Sequence, residues 1–402
     1  MVSVERGAAT MPYAPPRGTR PGNRKELIQR AGAELFYQYG FANVSMSQIA
    51  QAVSIGPSAL YRHFAGKQEL LIAVVAASVH QVREALADVD SEAVDSAEWY
   101  DALVRMSLDT RAAGVLWQRD ARYLPSAEQN KLRTAIREIR LGMRSSIEMH
   151  HPESQSWSNL LTSVVLSICL SLSYHHVSLP RPQFEALMKE MIVAALDAAG
   201  ALPSVAAAPV TAREPRVAKN TAEKLVAAAA ELFAQKGFAQ TGLEEIASAV
   251  GISEPSIYHH FPSKLDLLFE VLQHGNDALQ HGRMIAMAQP GSAAELLNRL
   301  LTSYLEMVSR EPALFTLLVT ELGNLAEQQQ AVAVAQQRTY LNQWVELLLL
   351  THPLMAREEA RIRVHAVTTV LNDFFTRKRQ QLLTEEREMM LAVCQRLLQI
   401  AA

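Results

Sequence analysis

Two stretches of the chain repeat the same hydroxyl, imidazole and ammonium groups at the same spacing. The first is 60–67, LYRHFAGK, and the second, 197 positions later, is 257–264, IYHHFPSK. Each carries a tyrosine, a histidine two residues later and a lysine four residues after that. These groups donate hydrogen bonds to anionic oxygens, including those of a nucleic-acid backbone. The repeated stretches therefore carry groups that are suited to binding anions.

Motifs for other chemistry are absent from the sequence. It contains no G-x-S-x-G, no phosphate-binding glycine loop and no Cys-x-x-Cys, so we expect neither an enzyme nor a cofactor. Histidines occur as the adjacent pairs 150–151 and 175–176, and His274 and His281 lie seven apart on one helical face. Adjacent histidines point apart on a helix, whereas zinc needs three or four converging ligands. We therefore expect no metal site, with metal sensing as the alternative.

The repeated stretches belong to a longer duplication. Residues 31–71 and 228–268 share 20 identities in 41 positions. A period near 200 residues is far too long for a solenoid of 20–50-residue units, so it indicates a duplicated domain.

The first helix predicted in each copy has a start signal, an apolar face and a stop signal. Asn23 and Asn220 each precede a glutamate by three residues, a pattern typical of a helix cap. Gly40 and Gly237 are expected to end the helix, because glycine tolerates the positive φ that a helix end often requires. The apolar face consists of Ile28, Ala31, Leu35 and Phe36 in the first copy and of Leu225, Ala228, Leu232 and Phe233 in the second.

Two shorter helices are predicted to follow. Ser45 and Thr241 are the expected caps of the second helix, with a glutamine or glutamate three residues later. A break of three or four residues then precedes a third helix, which begins near Pro57 in the first copy. In the second copy Gly251 makes the turn and Ser253 is the expected cap. Two helices joined by so short a turn indicate a helix-turn-helix.

These residues resemble the DNA-binding head of the tetracycline-repressor (TetR) family. The resemblance is carried by 60–67 and 257–264 and by an alanine-rich helix ending in Leu-Phe-x-x-x-Gly-Phe, which is present in both copies. It covers about 50 residues per copy, and the remainder of each half resembles the family only in helical character. The resemblance implies an all-α regulator that binds a double-stranded DNA operator.

The resemblance also assigns roles to single residues. The implied phosphate contacts are Tyr61, His63 and Lys67, and Tyr258, His260 and Lys264. The residues nearest the bases are Pro57, Ser58, Ala59 and Arg62, and Glu254, Ser256 and His259. Ser45 and Thr241 complete the predicted DNA-facing set. The two lysines precede a helix whose N-terminal amides can join them on a phosphate. The alternative is that all of these are ordinary surface residues of a three-helix unit.

The two heads differ in charge. Residues 17–67 contain seven Lys/Arg and two acidic residues, whereas 213–264 contain six of each. Because phosphate contacts supply most non-specific affinity, we expect the second head to bind DNA more weakly by itself. Glu254 either accepts from a cytosine amino group or repels the backbone. The first head has Ser54 where the family usually has a turn glycine, and Gly56 is expected to relieve that turn.

Composition indicates a soluble, cytoplasmic protein of at least two domains. The 402 residues are 49% hydrophobic, with a net charge of −3. Cys169 and Cys394 lie in apolar helical stretches, as buried thiols of a reducing compartment do. No signal peptide is expected. Residues 160–179 are long enough to span a bilayer, but six Ser/Thr, two His and the lack of basic flanks favour a buried bundle helix. No membrane partner is expected.

The predicted organisation is two complete protomers in tandem. The segments are a disordered basic tail (1–21), a first head (22–71), a helical ligand-binding and dimerisation domain (72–202), a linker (203–215), a second head (216–268) and a second helical domain (269–402). The tail is either a DNA-binding arm or only a tail. His151-Pro152 and His352-Pro353 lie 201 positions apart, close to the spacing of the heads, so the duplication is expected to include the helical domains.

Members of the family act as two-fold dimers joined by a four-helix bundle, which implies that this chain is a covalent pseudo-dimer. The bundle would pair 156–177 and 181–199 with 356–378 and 385–400, along the apolar runs 164–172 and 391–398. Two recognition helices would then enter major grooves about 34–36 Å apart. Since the helices differ, the operator is expected to have unlike half-sites. Tethering raises the effective concentration of a weak head, and further homodimerisation remains possible.

The family's ligand response implies a small lipophilic effector in the helical domains. An effector pocket combines an apolar lining with a few polar groups. The candidates are Arg105, Trp117, Arg119, Arg122 and Tyr123 in the first half and Tyr304, Glu321, Asn324, Trp344 and Asn372 in the second. Each of them can equally be a packing or surface residue.

Three functions remain open from the sequence. The first is a ligand-responsive repressor that uses both heads. The second is a regulator in which only the first head binds DNA and the second half senses or interacts. The third is a small-molecule carrier or helical enzyme without DNA binding, which the basic first head disfavours.

Overall fold

The protein is described by a computed structural model over residues 23–87, 96–198, 220–377 and 384–400. The predicted tail (1–21) and linker (203–215) lie outside these ranges. Throughout the described ranges the chain is helical and contains no strand, as the sequence predicts.

Nine α-helices lie in each half of the described chain. The first half contains α1 (Arg24–Tyr39), α2 (Met46–Ala52), α3 (Pro57–Leu60), α4 (Lys67–Ala87), α5 (Ser96–Asp109), α6 (Ala113–Val115), α7 (Ser126–His150), α8 (Ser158–Ser171) and α9 (Arg181–Asp197). The second half contains α10 (Thr221–Lys236), α11 (Leu243–Val250), α12 (Glu254–Ile257), α13 (Lys264–Met287), α14 (Ala293–Arg310), α15 (Pro312–Thr320), α16 (Glu327–Thr351), α17 (Arg357–Arg377) and α18 (Thr384–Leu397).

The helices form two compact units whose boundary does not coincide with the sequence repeat. The first unit comprises Val2–Thr162 and Cys169–His176, and the second comprises Ser163–Ile168 and Val177–Ala402. Helix α9, which belongs to the first sequence copy, therefore lies in the same unit as the whole second copy.

In the first unit, the head packs onto the long helix that follows it. Helix α1 contacts α2 and α4, and α2 contacts α3. Ile28 and Phe36 of α1, Ile49 of α2, Leu60 of α3 and Leu70 of α4 are fully buried together. Burying an aliphatic or aromatic side chain of this size contributes about 1.5–3 kcal/mol, so the shared core explains how helices as short as α3 are held in place.

Helix caps confirm two of the predicted start signals and correct another. The Ser45 hydroxyl accepts from the backbone N–H of Gln48 at 3.2 Å, and the Gln48 side chain accepts from the Ser45 N–H at 2.7 Å, which completes a capping box. Asn220 accepts from the N–H of Glu223 at 2.9 Å. The prediction for Asn23 is wrong. Its φ and ψ of −98° and 29° depart from the extended backbone of a capping residue, and its side chain makes no capping bond.

Turn geometry confirms the predicted helix stops and shows strain in the first head. Gly40 and Gly237 end their helices at φ of 81° and 85°. Gly251 makes the second head's turn at φ 77°, and the matching Ser54 adopts φ 55°. Gly56 has an ordinary extended φ of −73°, so it does not relieve the turn as predicted. The left-handed conformation therefore falls on a residue with a Cβ, at a cost of about 1–2 kcal/mol.

The remainder of the first unit is built around α4 and α7. Helix α4 packs against α5 and α7. The stretch 113–123 is not one regular helix. It comprises α6, a π-turn at Leu116–Asp120 and a 3₁₀ turn at Ala121–Tyr123. Such irregular turns re-aim side chains and often occur at functional places in helical proteins.

The second unit repeats the plan and adds a contact between the two sequence copies. Helix α10 contacts α11, α13 and α15, and α13 packs against α14, α15 and α16. Helix α9 packs against α18, which also contacts α14 and α17. Met191 and Ile192 of α9, and Met390, Val393 and Cys394 of α18, are fully buried.

Two helical stretches in the described chain are long and apolar enough to span a membrane. They are Lys67–Ala87 and Pro152–Tyr174, and 72% of the second window is buried inside the protein. This burial confirms the prediction of a bundle helix for that stretch. Cys169, which lies in it, is buried, and burial raises the pKa of its thiol to about 12. Burial also raises the pKa of the Cys394 thiol, so neither cysteine is a reactive thiolate near neutral pH.

Candidate nucleic-acid interface

The recognition turn of the first head has one apolar side and one solvent-facing side. Pro57 occupies the first helical position of α3, where its missing N–H leaves no bond unmade. Leu60 and Phe64 point inward and are 0% and 1% exposed. Tyr61 and Arg62 lie between them on the opposite side, and both are exposed. The helical spacing of the two apolar anchors therefore determines which side chains can reach DNA.

The predicted phosphate-binding residues of the first head lie on one short stretch of chain, and they differ in solvent exposure and in the hydrogen bonds that they already make. Tyr61 is 52% exposed, and His63 is partly buried. Lys67 Nζ donates to the backbone oxygens of Phe41 at 2.7 Å and Ala42 at 3.3 Å. It also lies 4.5 Å from the centroid of the Phe41 ring. Burial lowers the pKa of Lys67. The ammonium therefore stabilises the turn after α1 and retains one donor for a phosphate.

The second head presents the same arrangement. Ile257 and Phe261 are buried, whereas Tyr258, at 52% exposed, and His259 and His260 face solvent. Lys264 Nζ lies 4.5 Å from the centroid of the Phe238 ring. Burial lowers the pKa of Lys264, as it does for Lys67.

The start of the second head's recognition helix differs from the prediction. Ser253 occupies the N-cap position, but its hydroxyl lies 2.8 Å from the Ser256 hydroxyl and makes no capping bond to the backbone. Glu254, the first residue of α12, is partly buried. That Glu254 contacts a DNA base stays a prediction.

Thr241 is the clearest correction among the predicted DNA-facing residues. Gly242, not Thr241, is the N-cap of α11. The Thr241 side chain is 1% exposed, and its hydroxyl donates to the backbone oxygen of Gly237 at 2.9 Å. It ties α11 to the end of α10 and presents nothing to DNA. Ser45 is exposed, although its hydroxyl is already used in the capping box.

Two predicted ligand residues of the first half, Arg119 and Tyr123, instead join the head to the helical body. The Arg119 guanidinium donates to the Asp120 carboxylate at 2.9 and 3.0 Å and to the backbone oxygen of Phe36 at the end of α1. Asp120 is 1% exposed. The Tyr123 ring lies 4.9 Å from that of Phe41. These residues form the head–body junction, and sequence reasoning missed it because the partners lie about 80 positions apart.

Trp117 also belongs to this region. Its Nε1 donates to the Ser78 hydroxyl of α4 at 2.8 Å, and its ring packs against the head core. Arg122 donates to the backbone oxygen of Arg119 at 2.8 Å, and burial lowers its pKa. Arg105 is exposed on α5.

In the second half, three of the predicted ligand residues converge. The Tyr304 hydroxyl donates to Asn372 Oδ1 at 2.9 Å, and its ring meets Trp344 edge-on with centroids 5.7 Å apart. Burial raises the pKa of Tyr304. Glu321 is 1% exposed, and its carboxylate accepts a hydrogen bond from the Asn324 side-chain amide at 2.5 Å. Whether the cluster binds a ligand stays a prediction.

A cavity of about 550 Å³ lies in the first unit between α4 and α7. Its apolar lining comes from Ile72, Val75, Ala76, Val79, Ala87, Leu124, Leu132 and Ala135. His80, Arg83, Glu84, Glu128 and Lys131 supply charged groups. The predicted ligand residues do not contribute to this lining. A volume within about 300–1,000 Å³, an apolar lining and a few charges are typical of small-molecule sites.

Across the described ranges no three His, Cys, Asp or Glu side chains are placed to share a metal ion. The chemistry of the site is thus that of two exposed recognition turns, each with aromatic hydroxyl, imidazole and cationic groups. The fold and these turns define a helix-turn-helix DNA-binding protein. Residues 28–74 and 225–271 each match the family described as bacterial regulatory proteins, tetR family. The chain therefore carries two tetR-family DNA-binding domains in tandem.

Relatives of known function are transcriptional regulators. The chain is 31% identical over 111 residues to the activator FasR of Mycolicibacterium smegmatis, covering 28% of this chain and 50% of that protein. It is 28% identical over 158 residues to the regulator AcrR of Shigella flexneri, covering 36% and 74%. A match to the repressor KstR2 of Rhodococcus jostii has 27% identity over 126 residues, covering 31% and 62%. The chain thus spans about half the length of FasR.

Solved structures of the same family are also similar. One is a TetR-family regulator from Bordetella parapertussis 12822, with 22% identity and a TM-score of 0.42. The match covers 46% of this chain and all of that one.

Proposed function

We propose that the chain is a ligand-responsive, cytoplasmic repressor whose two heads together read one operator. The observation that carries this proposal is the equivalence of the recognition turns. Tyr61 and Tyr258 are each 52% exposed at matching positions, and each precedes a lysine whose ammonium lies 4.5 Å from a phenylalanine ring. A second head that had lost DNA binding would have no reason to keep this set of donors on its surface.

Packing between the sequence copies supports a pseudo-dimer within one chain. Helix α9 of the first copy packs against α18 of the second. Nearby, the Ser167 hydroxyl of α8 donates to the Asp373 carboxylate of α17 at 3.0 Å. These are the last two helices of each copy, which pair between chains in dimers of the family. One chain then supplies both halves of the bundle, and its heads address grooves about one helical turn apart.

The half-sites recognised by the two heads are unlike each other. Ser58 and Ala59 of the first recognition turn correspond to Pro255 and Ser256 of the second, and Arg62 corresponds to His259. Arginine prefers the paired acceptors of guanine, whereas histidine lacks a matching fork. Weak binding by the second head still matters, because a tethered site acts at an effective concentration in the millimolar range.

The α4–α7 cavity is the proposed effector site of the first half. Helix α4 begins at Lys67, directly after the recognition turn, and its residues Val75 and Val79 line the cavity. A lipophilic molecule between α4 and α7 would bind most tightly to one spacing of these helices, and only such differential affinity can shift the position of a head. Tyr304 and its neighbours are the corresponding candidate of the second half.

Occupancy of the cavity can be tested with the apolar dye 1-anilinonaphthalene-8-sulfonate. Val79→Trp fills the space, so we expect it to reduce saturable dye fluorescence and to abolish any effect of the dye on operator binding. Val332→Trp, the same change at an exposed valine of α16, is the control. Equal dye binding by both variants would place the dye elsewhere.

Selection of bound DNA from a random pool, followed by footprinting, tests the main proposal. The selected DNA sequences are expected to carry two unlike half-sites about one turn of the DNA helix apart. Arg62→Ala should relax the sequence preference in one half-site, and His259→Ala should relax it in the other. Arg133→Ala, at an exposed position of α7, should change the preference in neither half-site. A single half-site or a palindrome would favour the alternative in which one head reads DNA and chains pair. No selected sequence at all would favour the carrier or enzyme alternative.

A further inference from the structure

A fully buried arginine lies where the two sequence copies meet. Arg363 of α17 is 0% exposed. Its guanidinium donates to Glu190 of α9 at 2.8 Å, to Glu359 one turn earlier in α17 at 2.9 Å and to the backbone oxygen of Leu397 in α18 at 3.0 Å. Gln399 also donates to the Glu190 carboxylate, at 2.7 Å. Among these partners, only the Glu190 carboxylate belongs to the first sequence copy.

The repeat does not provide a second contact of this kind. At the spacing of His151 and His352, the counterpart of Arg363 is Thr162, whose hydroxyl donates to the Ser158 backbone oxygen of its own helix at 2.6 Å. Matching the buried pair Met191 and Ile192 of α9 to Val393 and Cys394 of α18 makes Ala392 the counterpart of Glu190. The contact between Glu190 and Arg363 therefore exists in one direction across the seam, which the Ser167–Asp373 hydrogen bond also crosses.

We propose that Glu190 and Arg363 make this seam directional, so that the bundle of the second copy recognises the bundle of a first copy and rejects another second copy. This inference rests on the proposed pseudo-dimer. In a pairing of two second copies, each Arg363 would face Ala392 and lose the Glu190 carboxylate. A buried cation deprived of one of its partners is strongly destabilising, whereas leucine in its place would tolerate either pairing.

The consequence concerns oligomeric state. A symmetric apolar seam would let chains link through like copies into open chains of heads. The directional contact restricts each seam to unlike copies, and the tether makes the first copy of the same chain the nearest partner. The protein is thus expected to be a single chain in solution, with one pair of heads matched to one operator.

The test uses full-length chains and complementary charge reversals. All chains carry Glu359→Gln, so that a carboxylate introduced at position 363 meets no second carboxylate. Glu190→Arg alone, and Arg363→Glu alone, should each lower the thermal unfolding midpoint by about 5 °C or more, because a like charge from the half-exposed position 190 then faces the fully buried position 363. The double reversal, Glu190→Arg with Arg363→Glu, should recover most of that loss.

Co-expression of the two single variants with different tags gives a sharper result. The first copy of each variant is complementary in charge to the second copy of the other variant. The two chains should therefore pair first copy with second copy between chains, and co-purify at twice the single-chain mass. Each variant expressed alone should keep the single-chain mass in sedimentation. The control is Glu185→Arg, which reverses a charge on α9 that pairs with Arg181 on the same helix at 2.5 Å. It should neither lower the midpoint comparably nor promote exchange.

Two outcomes would overturn the inference. One is equal stability of Glu190→Arg and Glu185→Arg, which would make the contact irrelevant to the seam. The other is a dimer of the Glu190→Arg chain alone, which would show pairing of like copies. Mass and unfolding are measured without DNA, so failure of the chain to select an operator would contradict the proposed function and leave the result for the seam intact.

Discussion

Single side chains explain why the two recognition turns can bind DNA and why they need not bind it equally. The tyrosines are held outward by the buried leucine or isoleucine before them and by the buried phenylalanine after them. The lysines are partly committed to the turn after the first helix of each head, which both positions the ammonium and lowers its pKa through burial. Aromatic and cationic donors thus remain available in both heads. The tyrosines are exposed, whereas the lysines are partly buried.

Removal of the Tyr61 hydroxyl tests the phosphate assignment. Tyr61→Phe keeps the ring and should weaken binding by about 10- to 100-fold, since a hydrogen bond to a charged group contributes about 1.5–3 kcal/mol. The loss should be similar for all sequences, because phosphate contacts carry no base information. Binding can be followed by fluorescence anisotropy on specific and random duplexes. Tyr39→Phe, at another exposed tyrosine, is the control, and an equal effect of both variants would contradict the assignment.

The left-handed Ser54 provides a test of turn strain. Ser54→Gly should raise the free energy of unfolding by about 1 kcal/mol, because glycine adopts φ 55° without the Cβ penalty. Gly251→Ser should lower it by a similar amount. Urea unfolding measures both changes. Gly56→Ala, at an ordinary φ with open space around its Cβ position, should destabilise neither turn. A destabilising Ser54→Gly would mean that the serine side chain makes a compensating contact.

Among the helical elements, the irregular segment after α6 has the most specific task. Its π-turn aims Arg119 at the end of α1 and places Asp120 beside it, out of water. The segment thereby connects the first head to the body that contains the proposed effector cavity. In the second half, Thr320 and Glu321 occupy the matching positions, so that half has no arginine at this point. The two heads are consequently joined to their bodies by different chemistry.

Breaking the head–body junction should loosen the first head selectively. Arg119→Leu leaves the Asp120 carboxylate buried without its cation, which should cost about 3–5 kcal/mol. Hydrogen exchange of α1 amides should accelerate relative to those of α10. Replacing both residues, Arg119→Leu with Asp120→Leu, should recover part of the loss, because the unpaired charge is then gone. Unchanged exchange in the single variant would mean that the pair contributes nothing to holding the head.

At the level of the whole chain, joining two protomers in one polypeptide allows their sequences to differ. A homodimer must present the same recognition helix twice, whereas the linked copies have already diverged in their recognition turns, their charge and their seam. An operator with unlike half-sites is the natural target of such a chain. Duplication also allows the polar contact of Arg363 with Glu190, which a two-fold symmetric dimer would have to build twice.

The asymmetry in charge predicts unequal salt dependence. Lys67→Ala should reduce the slope of log affinity against log salt by about one, as expected for loss of one phosphate contact. Lys264→Ala should produce a smaller change if the second head contributes mainly through tethering. Titrations of the selected operator at several salt concentrations measure both slopes. Lys131→Ala, at an exposed lysine of α7, is the control, and a slope unaffected by either head variant would contradict direct phosphate contact.

The sequence by itself determined the duplication, the all-α class, most helix boundaries and the identity of the heads. Those features rest on local signals, such as apolar periodicity, caps and turn glycines, whose partners lie within a few residues. The wrongly predicted caps at Asn23 and Thr241 show the limit, because a side chain with a suitable spacing can be recruited elsewhere by packing. Thr241 is bonded to the end of the preceding helix and has no access to solvent.

Only the tertiary structure decided the roles of Arg119, Trp117 and Tyr123, the position of the cavity, and the pairing of Arg363 with Glu190. In each case the partners are separated by tens to hundreds of residues, so their meeting depends on how whole helices pack. Arg363 lies 173 positions from Glu190, and no periodicity in the sequence relates them. Local patterns determine which elements form, whereas burial and the need to satisfy buried charges determine which side chains meet.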